Sequence, residues 1–63
     1  MQHVESYVRY IWETSGVQMS IEDFDAHWED LGRIARYDMR REGMATEADG
    51  MITLTKKAKR VTG

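Results

Sequence analysis

The chain has 63 residues, 41% of them hydrophobic, with no Cys, no Pro and a net charge of −2 at pH 7. A chain of this size holds one domain, 1–63, and on folding buries only about 60% of the surface its unfolded form exposes. Without Cys a disulfide scaffold is excluded. With no basic leader before an apolar stretch, and no apolar run near the roughly 20 residues that cross a bilayer, we expect a cytoplasmic protein without membrane contact.

The modest net charge conceals a split. Residues 1–30 carry seven acids against the single base Arg9, whereas residues 31–63 carry eight bases against four acids. An anionic partner should therefore meet the C-terminal half.

Val4, Tyr7, Val8, Ile11 and Trp12 repeat at the spacing of one helical stripe and Gly16 follows, which predicts a first helix near residues 2–14. Ser20 then precedes Ile21 with Asp23 in the third place, close to a capping box, so a second helix starts at Ile21. Gly32 interrupts the apolar stripe that continues from it, and a turn is expected near residues 29–32. On the next helix, about 33–42, steps of 100° per residue gather Arg33, Arg36, Tyr37, Arg40 and Arg41 on one side. Leu31, Ala35, Met39 and the edge residue Ile34 fall opposite, facing a core, and Gly43 closes the helix.

Asp49-Gly50 lies between two short alternating runs, and both central positions of a type I′ turn need the positive φ that Gly and Asp tolerate. Strands are expected at about 44–47 and 51–55, with Ile52 and Leu54 on the inner face. Thr55 suits the N-cap of a short basic helix from Lys56 to Val61. The expected core joins Val8, Ile11, Trp12, Phe24, Trp28, Leu31, Ala35, Met39, Ile52 and Leu54.

The run "RIARYDMRREGMATEADGMITLT", followed by "KKAKR", resembles the winged helix-turn-helix family, in its small phage or prokaryotic form. The likeness covers roughly residues 20–61 and rests on the order of the pieces. It implies an α+β fold of three helices, a two-stranded β-hairpin wing and a short C-terminal helix. It also implies a DNA-binding regulator of transcription whose third helix enters the major groove of double-stranded DNA. Carried over, it places Arg33, Arg36, Tyr37, Arg40 and Arg41 on the recognition helix and Asp49 and Gly50 at the wing turn. Lys56, Lys57, Lys59 and Arg60, which follow the wing, add a surface for phosphates. A marginal core without disulfides, and the paired sites such regulators read, lead us to expect a homodimer.

Two other readings stay open. The Arg face can be a solvated surface, with Arg33 and Arg36 answering Glu29 and Asp30 across one turn. The chain can equally be a protein-binding module or small inhibitor that docks on a basic partner through Glu22, Asp23, Asp25, Glu29 and Asp30. That acidic cluster lacks the spacing of a calcium loop, and His3 and His27 lie in no metal-ligand pattern, so no metal and no cofactor is expected. Ser6, Ser15 and Ser20 have no nucleophile-elbow glycines and there is no phosphate loop, so no enzyme is expected either. Tyr10 falls off the first stripe and is a candidate surface contact.

Overall fold

The computed structural model describes residues 3–62. The elements run α1 (His3–Ser15), β1 (Gln18–Ser20), α2 (Ile21–Trp28), α3 (Leu31–Arg41), β2 (Ala45–Ala48), β3 (Met51–Leu54) and α4 (Lys56–Thr62). The strands form one antiparallel sheet in the order β1-β3-β2. The result is an α+β fold with a winged-helix-like layout. Residue 2, where the first helix was expected to start, lies outside the described residues.

The local signals act where the residues place them. Gly16, at φ 83°, donates its N–H to the Trp12 carbonyl at 3.0 Å and ends α1. Ser20 holds an extended backbone while its Oγ accepts the Asp23 N–H at 3.0 Å, which satisfies one open donor of α2. Asp49 and Gly50 both take positive φ, 53° and 75°, and turn β2 into β3. Thr55 caps α4 by accepting the Ala58 N–H, and its hydroxyl also donates to the Gly43 carbonyl at 2.6 Å.

The expected two-stranded hairpin is widened by a third strand. Gln18, Met19 and Ser20 pair with Thr53, Ile52 and Met51. A strand of three residues is too short for its alternation to stand out in sequence.

The core is one cluster of Tyr7, Val8, Ile11, Met19, Phe24, Ala35, Met39, Ala45, Ile52, Leu54 and Ala58. Trp12 and Leu31, expected inside, are exposed, as is the edge residue Ile34. Met19 and Ala58 join the core instead, because β1 packs on α1 and α2 and α4 packs on α1 and β3. Trp28 packs at the margin, its ring edge-on to Tyr7 with centroids 4.9 Å apart. Tyr10 is not a free surface ring: it is half-buried and stacks on His27 at 4.1 Å.

Candidate nucleic-acid interface

The second and third helices are joined by a turn of two residues, shorter than the expected 29–32. Glu29 takes φ 55° and ψ −125° there, a conformation suited to Gly, and donates its N–H to the Asp25 carbonyl at 2.6 Å. Gly32 is not part of the turn. It lies in the first turn of α3, buried against α2, where a Cβ would stand 2.6 Å from Asp25 Oδ1 and 3.2 Å from Asp25 Cα. The residue that reads as a helix breaker is there for close approach.

At its other end α3 closes with a Schellman motif. Gly43, at φ 77°, donates to the Arg40 carbonyl at 3.1 Å, and the Met44 N–H reaches the Met39 carbonyl at 2.8 Å. Lys57 Nζ donates to the Glu42 carbonyl at 2.8 Å, placing a cation at the negative end of the helix dipole.

Within the Arg set the side chains divide. Arg36 donates through Nε and Nη2 to the two carboxylate oxygens of Asp25 at 2.9 and 3.0 Å, and through Nη1 to Glu47 at 3.3 Å. Its side chain is only 15% exposed, and that of Glu47 16%. The hydrogen bonds to Asp25, outweighing the cost of partial burial, hold the Arg36 guanidinium above its ordinary pKa. The acids that answer Arg36 are therefore Asp25 and Glu47, not Glu29 and Asp30.

Glu47 reaches this position by register. It sits directly across from Ile52 on the neighbouring strand and so shares the face of the sheet that packs on the helices. From there it also accepts from Arg40 Nη1 at 2.7 Å. One carboxylate on the wing thus spans two arginines of α3, and an Asp on α2 completes the network. The hairpin, α3 and α2 are tied together by this network.

The outward face of α3 is left with Arg33, Ile34, Tyr37, Arg40 and Arg41, all exposed. Arg33, Ile34, Tyr37 and Arg40 line a groove of about 370 Å³. Lys56, Lys59 and Arg60 are exposed on α4, and Asp49 and Gly50 are exposed at the hairpin turn. Glu22, Asp23, Glu29 and Asp30 are also exposed, while Asp25 is engaged by Arg36.

Sequence reasoning missed Glu47, because a charge on a short alternating strand reads as outward, and it missed the exposure of Ile34. Among the described residues no group of three or more His, Cys, Asp or Glu side chains is arranged to hold a metal ion, and no helix is long and apolar enough to cross a membrane. No protein-family model matches the chain, and no curated protein and no solved structure matches it.

Proposed function

We propose that the protein is a small winged-helix DNA-binding regulator that lays α3 in the major groove of duplex DNA. The observation that carries this reading is the outward face of α3, where Arg33, Tyr37, Arg40 and Arg41 are exposed on a helix held rigidly beside a β-hairpin. Arg supplies a planar fork that fits both a phosphate and the guanine edge, and a helix of that width fits the major groove. A cytoplasmic setting and a dimer that pairs two such helices go with it.

Duplex binding measured against salt tests the reading. If two or three arginines neutralise phosphates, log K falls against log salt with a slope of roughly −2 to −3. Arg33→Glu with Arg41→Glu should abolish binding while leaving the melting temperature near that of the parent, since neither side chain enters an ion pair among the described residues. Absence of binding to a random duplex library at low salt overturns it. Arg36 is unsuitable for this experiment because its loss disturbs the fold.

The second reading, docking on a basic protein, draws on the exposed carboxylates of Glu22, Asp23, Glu29 and Asp30, none of which enters an ion pair among the described residues. A partner whose capture depends on Glu22 and Asp23 but not on Arg33 and Arg41 would favour it.

A further inference from the structure

Charge accounts for only part of the α3 face. Leu31, Ile34 and Tyr37 are 52%, 56% and 54% exposed, and Ile34 lines a groove with Arg33, Tyr37 and Arg40. Large apolar side chains held in water on a helix surface contribute little to folding, and phosphates offer nothing apolar to receive them. The major groove does offer one apolar feature, the C5-methyl group of thymine, which stands beside an acceptor oxygen at the same base edge.

We propose that Ile34 reads a thymine methyl group in the major groove, which makes it a specificity residue distinct from the arginines that bind the backbone. The inference rests on the duplex-binding reading of α3. Its geometry is favourable. Ile34 and Tyr37 are about one turn apart on the same exposed face, about 4.5 Å along the helix axis. Arg33 and Arg40 flank that stripe on one side and Arg41 extends it by a further turn. With cations on its flank and an aliphatic branch at its edge, the face can set Ile34 against a methyl group while the arginines hold the phosphates. Tyr37, on the C-terminal side of Ile34, helps to shield the contact from water.

The test separates this inference from the reading beneath it. A duplex selected from a random library with the unaltered protein is resynthesised with each thymine replaced in turn by uracil, which removes the methyl group and keeps the pairing, the acceptor and the backbone. At one position the replacement should weaken binding about fourfold, the weight of one buried methyl group. The Ile34→Ser protein should bind that duplex more weakly and show no thymine-to-uracil difference there, with an unchanged salt slope and an unchanged melting temperature. If uracil is tolerated at every position, or if Ile34→Ser still discriminates, the inference falls and DNA binding stands. If no duplex is selected at all, the inference and the DNA-binding reading fall together, and the apolar face becomes a protein-docking surface.

Discussion

Arg36 grips both oxygens of Asp25 across the crossing of α2 and α3, on the flank where Gly32 lets the two helices approach. The pair is a structural clasp set beside the exposed arginines of α3. Two parallel charge-assisted hydrogen bonds in a half-buried setting are among the stronger polar contacts available to a small domain.

Arg36→Met should therefore destabilise the protein by about 2 kcal/mol, because Asp25 and Glu47 are left close together without their shared cation. In a domain of this size that is a fall of roughly 10 °C in melting temperature. Arg36 has its folded pKa raised, so the clasp contributes fully below the ordinary Arg value and is lost only as pH rises past the raised one. Melting curves at neutral and mildly alkaline pH should show the same Arg36→Met deficit.

Gly32→Ala separates two explanations of one residue. Helix propensity alone makes the change favourable by about 1 kcal/mol. Contact with Asp25 makes it costly, because both the carboxylate and the backbone of α2 stand in the way of a Cβ. We expect a net loss of about 1 to 2 kcal/mol in urea unfolding; a gain would mean that α2 can retreat.

Glu29→Gly should act in the opposite direction. The side chain is exposed and the backbone conformation, φ 55° and ψ −125°, penalises any residue with a Cβ. After the greater entropy of Gly in the unfolded chain is deducted, stability should rise by about 0.5 to 1 kcal/mol. A decrease in the urea midpoint would contradict this.

Glu47→Gln tests the tie between the hairpin and the proposed DNA-binding face of α3. Arg40 is exposed yet shares its guanidinium with Glu47 at 2.7 Å, so the carboxylate competes with any phosphate that approaches. Removing its charge should tighten duplex binding roughly threefold at low salt and steepen the salt slope by about 0.9, one extra phosphate contact. A variant that binds more weakly would instead show that Glu47 is needed to aim Arg40.

Local signals were readable wherever one residue type decides one backbone state. Ser20, Gly43, Thr55 and the Asp49-Gly50 turn each act as their chemistry requires. Long-range choices were not. Arg36 and Arg40 fall on the same wheel sector as Arg33, and only the register of β2 against β3, which turns Glu47 toward the helices, sets Arg36 apart. Leu31 and Ile34 complete the apolar stripe of α2 on paper, but the turn at Glu29 rotates α3 out of phase and leaves both in water. Met19 enters the core only because a three-residue strand finds its partner elsewhere in the chain.

That strand sets how the protein must assemble. Gln18 and Thr53 are 35 residues apart, and the Ile21 N–H donates to the Gly50 carbonyl at 2.9 Å, so the hairpin is completed by chain that precedes both inner helices. Closing so long a loop costs entropy before the pairing compensates for it, so we expect the sheet to form late in folding. Once closed, it holds the hairpin on both sides of β3. The amide protons of β3 should exchange with solvent only through global opening, at the same free energy as those at the centre of α1, and the wing and the first helix should melt in a single transition.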